Sequence, residues 1–369
     1  MESTRLKYPS INGLRAVSIV LVIIHHLCLY EPLFSRLENF RWLRPLISFL
    51  QDGQLGVNVF FVISGFLITS LMLEEENITK TISLKHFYIR RTLRIFPAYY
   101  FLLFVYFILQ LLNLIHISEM SWLTAITYTK YFNWETEWLT AHAWSLSVEE
   151  QFYLFWPLIF VYGFRYRKAA PIILILTVPV IRMILSSKPD SWIYDLTIFT
   201  RIDSIATGCL FALYKERIVE IVEKHWKKVF YASIIMIFFV KELQTLSMKI
   251  GLGFIFIPLG TTYGTIANFA IGFLMMYLIF GPQKTWFKFF NSSIINYIGS
   301  LSYSIYLWQQ IFISGSGHWV TKYPQNLLFI LLTAMSSYHF IEMPFIKLKK
   351  KFAVQKKLAN KHDVPALAI

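Results

Sequence analysis

The sequence predicts an all-α protein: a polytopic membrane helix bundle of about ten transmembrane helices, with both termini cytoplasmic. Three observations predict it. Hydrophobic residues make up 56% of the 369 and charged residues 15%, against about 25% charged in a soluble domain. Apolar runs of about 18–22 residues, the length that crosses a bilayer, recur from end to end. Lysine and arginine are also unevenly spread. With the N-terminus inside, the inside segments 1–15, 75–94, 164–168, 215–228, 282–296 and 346–369 hold 25 of the 35, the bias expected of cytoplasmic loops.

The ten spans are expected at about 12–31, 55–74, 95–115, 146–163, 169–186, 194–214, 229–247, 260–281, 297–314 and 325–345. Dropping or adding one would scramble the charge bias. The net charge of +14 follows from that bias and does not require nucleic acid as a partner. The two cysteines, Cys28 and Cys209, lie in apolar runs and form no spaced framework, so both read as reduced, buried thiols. No internal repeat of the transporter kind is visible.

Span one opens on GLRAVSIVLVIIHH, Gly13 to His26. It lacks a small-residue cleavage site and reads as a retained helix, not a signal peptide. Arg15 and His26 are 11 residues apart, which is about 16 Å along a helix and about 20° off one face. Arg15 then lies at the membrane surface and His26 near its middle, where an ionisable group costs about 2.5 kcal/mol or more. Such an imidazole is either a hydrogen-bonded member of the bundle or a general base toward a hydroxyl. His25 points about 80° away. No second His, Asp or Glu stands at i+3 or i+4 on this helix, so no metal site is expected.

The loop after span one, Pro32–Gln54, interleaves Arg36, Arg41 and Arg44 with Phe34, Leu37, Phe40, Trp42 and Leu46. It reads as an interfacial helix or a surface facing a polyanion. In span two, GVNVFFVISGFLIT, the Ser64-Gly65 pair lets a backbone or a thin ligand approach closely. Ahead of span three, FYIRRTLRIFPAYY groups Arg90, Arg91 and Arg94. Arg91 and Arg94 share a face at i, i+3. They serve either as a positive-inside anchor or as a clamp for a phosphate-rich donor such as coenzyme A.

Span four begins in WSLSVEEQFYLFWPL. Ser147-x-x-Glu150 fits a capping box, which leaves Glu149 at the outer edge beside Gln151 and two tryptophans, a setting suited to a sugar hydroxyl. Span six holds Arg201 and Asp203, charges expected to be partnered to each other or across helices. In span nine, SLSYSIYLWQQ, Tyr303, Tyr306 and Trp308 are interface aromatics or a wall of the site. His339 and Glu342 fall near the inner end of the last span, where Glu342 is cheap to solvate.

Taken together and in this order, these stretches resemble the acyltransferase-3 family of integral membrane acyltransferases. The family's arginine, ten residues, histidine pattern falls on Arg15 and His26, and its Arg-x-x-Arg on Arg91 and Arg94. WSLSVEEQFYL looks like its signature, with Glu149 at the steadier glutamate. FFVISGFLIT, the Arg-x-Asp of span six, YSIYLW and IEMPF also match. The resemblance covers about residues 8–346.

What it implies is a 1–346 acyltransferase-3 transmembrane domain followed by a basic cytoplasmic tail at 347–369. The implied enzyme moves an acyl group, often acetyl, from cytoplasmic acyl-CoA to a hydroxyl of an extracytoplasmic or lipid-linked glycan in the cell membrane of a bacterium. On this reading His26 and Glu149 are catalytic, and Arg15, Arg91 and Arg94 hold the acyl-CoA donor. Arg201, Asp203, Tyr303, Tyr306 and Trp308 contact the acceptor. Two positions depart from the family. Gln309 and Gln310 follow YLW where histidine is frequent, and Asn58 stands where aspartate is common. Many relatives carry an SGNH-type domain after the last helix; with a basic tail there instead, acceptor handling falls to the helices. The rival readings are a transporter or flippase of a lipid-linked sugar and a non-catalytic partner in glycan assembly.

Overall fold

The computed structural model describes residues 8–31, 47, 49–132, 137–186, 197–249 and 253–352. Among these the regular structure is helical throughout, with no strand. The helices are α1 (Ile11–Tyr30), α2 (Gly53–Thr79), α3 (Leu84–Leu111), α4 (Glu119–Ile126), α5 (Trp138–Ala141), α6 (Ala143–Tyr162) and α7 (Ala169–Ser186). After them come α8 (Thr197–Leu213), α9 (Lys215–Lys249), α10 (Gly253–Phe280), α11 (Thr285–Phe290), α12 (Ser293–Phe312), α13 (Gln325–Ser336), a π-helical segment (Ser337–Glu342) and α14 (Met343–Lys349).

Local chemistry sets several starts. Asp52 accepts the Leu55 amide at 3.0 Å to open α2, Ser83 accepts the His86 amide at 3.3 Å to open α3, and Glu137 accepts the Leu139 and Thr140 amides to open α5. Each satisfies amide groups that a helix N-terminus leaves without a partner. The start of α1 is held by a distant residue instead. Asn291 accepts the Ser10 amide at 2.8 Å and donates to the Ser10 hydroxyl at 2.7 Å.

Among the described residues, five helical stretches are long and apolar enough to cross a membrane: Ile11–Tyr30, Gly53–Thr79, Leu84–Leu111, Thr262–Phe280 and Gln325–Phe352. The other expected spans fall on α6, α7, α8, α9 and α12, which are shorter or more polar. α6 carries Glu149, Glu150 and Gln151, and α12 carries Gln309 and Gln310. Polar residues of this kind are tolerated in a membrane bundle where they face its interior. Large apolar side chains such as Phe104, Phe107, Leu154, Phe155 and Leu176 are exposed, as a lipid-facing surface requires.

The tightest packing is between α2 and α8, which make the most extensive contact in the bundle. A Cβ added at Gly65 would lie 1.9 Å from the Ile205 carbonyl oxygen, and one at Gly208 would lie 2.1 Å from that of Val62. The Ser64-Gly65 pair thus admits a backbone, not a ligand, at Gly65. α1 packs between α2 and α12, with Gly299 making room for the Asn12 carbonyl.

Two sequence expectations change. α3 begins at Leu84, ahead of the expected 95, so Arg91 and Arg94, expected to share a helix face at the start of span three, stand well inside the helix. α6 begins at Ala143, so Ser147 is an interior residue that donates back to the Ala143 carbonyl at 2.8 Å. The capping box with Glu150 does not form. The arginines and aromatics of the Pro32–Gln54 loop named above, Arg36 to Leu46, lie outside the described residues, as does the tail beyond 352.

Candidate active site

The histidine end of the site is built on α1, α12 and the α5–α6 corner. Nδ1 of His26 lies 3.1 Å from Gln309 Oε1. A carbonyl oxygen only accepts, so Nδ1 carries the proton and Nε2 keeps its lone pair. His25 turns elsewhere, to the Gln51 carbonyl at 2.7 Å. The Trp138 ring stands edge-on to His26 at 5.2 Å and its indole N–H donates to the Gln310 carbonyl at 2.9 Å.

Gln310, the next residue, holds a second histidine. Its Oε1 accepts from both the His142 ring, at Nδ1, and the His142 amide at 3.2 Å. The Tyr306 hydroxyl donates to the His142 carbonyl at 2.9 Å and lies 2.6 Å from Ser145 Oγ. His142 is 3% exposed and lies within electrostatic range of His26. Among the described residues its Nε2 and the Gln309 Nε2 are buried without a partner. Gln309 and Gln310 therefore fix the tautomers of two imidazoles.

The arginine end is built on α1, α3, α6 and the π segment. The Arg91 guanidinium stacks over the Tyr153 ring at 3.6 Å, and the charges of Glu149 and Glu150 reach it. Arg15 is within electrostatic range of Arg94, Glu342, Glu149 and Tyr153. Ser64 donates to Glu149 Oε1 at 2.7 Å. Sequence reasoning set Glu149 on the side opposite the arginines, but it stands among them. The Tyr88 hydroxyl bonds the Leu154 carbonyl at 2.8 Å, which registers α3 against α6 and brings Arg91 level with Tyr153, one turn from Glu149.

Glu342 also differs from expectation. It is 2% exposed, accepts from the Ser304 hydroxyl and feels Arg94 and Arg15. The π-helical turn Ser337–Glu342 rotates it inward; such bulges recur at functional sites.

The expected acceptor contacts divide. Tyr306 belongs to the histidine end. Tyr303 donates to the Ile95 carbonyl at 2.9 Å, pinning α12 to α3. Trp308 packs in the core against Phe101. Asp203 is fully buried and pairs across helices with Arg182 at 2.6 Å. Thr265 and Asn268 also donate to it, at 2.6 and 3.3 Å. That network ties α7, α8 and α10 together and is not brought to His26. Arg201 lies on the same helix, within electrostatic range of Tyr263. Among the described residues Cys28 and Cys209 form no disulfide; Cys209 is fully buried and Cys28 half-buried. Among the described residues no group of three or more His, Cys, Asp or Glu converges as a metal would need.

Sequence reasoning missed His142, the use of Gln309 and Gln310, and the depth of Glu342. For His142 a signal was present: a histidine two residues ahead of the WSLSVEEQFYL run. The assembled site joins a buried arginine–carboxylate cluster to imidazole nitrogens with free lone pairs through one helix, α1. The arginine end suits a phosphate-bearing molecule, and the histidine end suits proton removal from a hydroxyl.

The model of the acyltransferase domain family matches residues 8–338. The chain is 31% identical to the O-acetyltransferase OatA of Staphylococcus aureus strain NCTC 8325, over 92% of this chain and 57% of that protein. The same figures hold for OatA of strain MRSA252. The chain thus spans somewhat over half the length of the curated relatives it matches. No solved structure matches it.

Proposed function

The chain belongs to the acyltransferase-3 family, and on that premise we propose that it is an integral membrane O-acyltransferase. It crosses a bacterial cell membrane about ten times with both termini cytoplasmic, and moves an acyl group, acetyl in the first instance, from cytoplasmic acyl-CoA to a hydroxyl of an extracytoplasmic or lipid-linked glycan. The relatives' name, O-acetyltransferase, supports the acetyl group. The observation that carries the reading is the pairing on α1: Arg15 in the arginine cluster and His26 held by Gln309 with Nε2 unprotonated.

Arg91 and Arg94, with Arg15, bind the donor phosphates, and Glu149 and Glu342 balance these cations. The acyl thioester extends along α1 toward His26. Nε2 of His26 takes the proton of the acceptor hydroxyl as its oxygen attacks the thioester carbonyl. The carbon–sulfur bond then breaks, and the departing thiolate takes the proton back. Gln309 keeps the imidazole in the tautomer this needs.

The test is the mass of the surface glycan from cells with and without the gene. A shift of one acyl unit supports the enzyme, whereas loss of the glycan itself supports a flippase. Radiolabelled acetyl-CoA supplied to membranes, with label recovered in the glycan, tests the donor.

A further inference from the structure

His142 is not needed by the steps above, yet it is held at its ring, its amide and its carbonyl. Gln310 bonds its ring and its amide, Tyr306 bonds its carbonyl, and the Tyr306 ring packs edge-on against it at 5.4 Å. On the ring itself only Nδ1 is hydrogen-bonded among the described residues. Among the described residues Nε2 is left with a lone pair that is buried and unpartnered, in a residue 3% exposed within electrostatic range of His26. An unmet buried acceptor costs about 1–3 kcal/mol. At the same end of the bundle, Gln309 Nε2 is a buried donor with no partner among the described residues. A hydroxyl both donates and accepts, so it complements these two unused groups.

We infer that His142 is an acceptor-binding residue: its Nε2 receives the hydrogen of a sugar hydroxyl, while His26 receives that of the hydroxyl being acylated. His142 takes part in no covalent step. The acceptor is then a sugar presenting at least two free hydroxyls near each other. This inference rests on the acyltransferase reading. It adds a specificity-determining contact to the histidine end and explains why both Gln309 and Gln310 face a histidine.

The test compares two replacements in the full-length protein in native membranes, with radiolabelled acetyl-CoA as probe. His142→Asn retains a donor near Nδ1 and deletes Nε2, whereas His142→Gln restores an acceptor near the Nε2 position. Label transferred to glycan and label released by hydrolysis are measured per unit of membrane-inserted protein. His142→Asn is expected to lower transfer at limiting acceptor about 10-fold, in line with the loss of one buried hydrogen bond. KM for acetyl-CoA stays unchanged, the ratio of hydrolysis to transfer rises, and His142→Gln recovers part of the transfer. Equal transfer in His142→Asn and wild type overturns the inference. So does a rise in KM for acetyl-CoA, or an equal loss in both variants. Should His142→Asn not accumulate, His142→Gln against His142→Leu makes the same comparison at similar volume. Wild type that transfers no label overturns the acyltransferase reading itself, an outcome distinct from these.

Discussion

Gly65→Ala tests how the bundle holds its site. The added Cβ would lie 1.9 Å from the Ile205 carbonyl oxygen, where ordinary contact begins at 3.4 Å. α2 and α8 must therefore part by about 1.5 Å, because a close-packed interior has no slack to absorb the difference. The neighbours cannot yield either: Val62, Phe66, Ile205 and Cys209 are all at 0% exposure, and the opposing atom is backbone. Overpacking costs about 1–3 kcal/mol, and we expect the upper end here. The same movement pulls Ser64 from Glu149, a bond of 2.7 Å, and a displacement of about 1 Å can cost on the order of 100-fold in rate. Thermal unfolding of the detergent-solubilised protein should show a midpoint several degrees lower, with acyl transfer reduced as well. Gly208→Ala opens the same interface from the other side, so the double variant should lose less than the two singles added. An unchanged midpoint for Gly65→Ala, or full additivity, would refute the packing argument.

Three further outcomes follow from the geometry. Arg182→Met strands the buried Asp203 and should cost about 3–5 kcal/mol, while Arg182→Met with Asp203→Leu should recover much of it; protein level in membranes and unfolding midpoint check this. Gln309→Leu removes the partner of His26 Nδ1. Its effect lies between the loss of one hydrogen bond, about 0.5–1.5 kcal/mol, and the whole of general-base catalysis, about 10²–10⁴, so transfer should fall about 10- to 100-fold while Gln309→Glu, which keeps an accepting oxygen, retains activity. Arg91→Ala should raise KM for acetyl-CoA about 10-fold, the worth of one charge-assisted contact, in initial rates against donor concentration.

Much of the helical layout was legible because hydropathy and charge bias act over twenty residues at a time. Among the described residues the expected spans fall on helices, five of which are long and apolar enough to cross a membrane. The failures are local. Ser147 and Glu150 have capping-box spacing, yet the helix starts a turn earlier, because Ala143, Trp144, Ser145 and Leu146 also belong to it. Arg201 and Asp203 are near in sequence, but residues two apart on a helix do not face each other, and Asp203 finds Arg182 instead. Glu342 was read as solvated because a π turn leaves no mark in periodicity. His142 sits at a helix corner with no apolar pattern around it, and its partner Gln310 is 168 positions away. The ends of the site could be read from motifs, but the register that mixes Glu149 with the arginines could not.

The most direct measurement of the central claim is the mass of the surface glycan from cells carrying His26→Ala at wild-type membrane abundance. The account predicts glycan of normal length that lacks the acyl unit, with acylation restored by the wild-type gene. Glycan that is still acylated would contradict it.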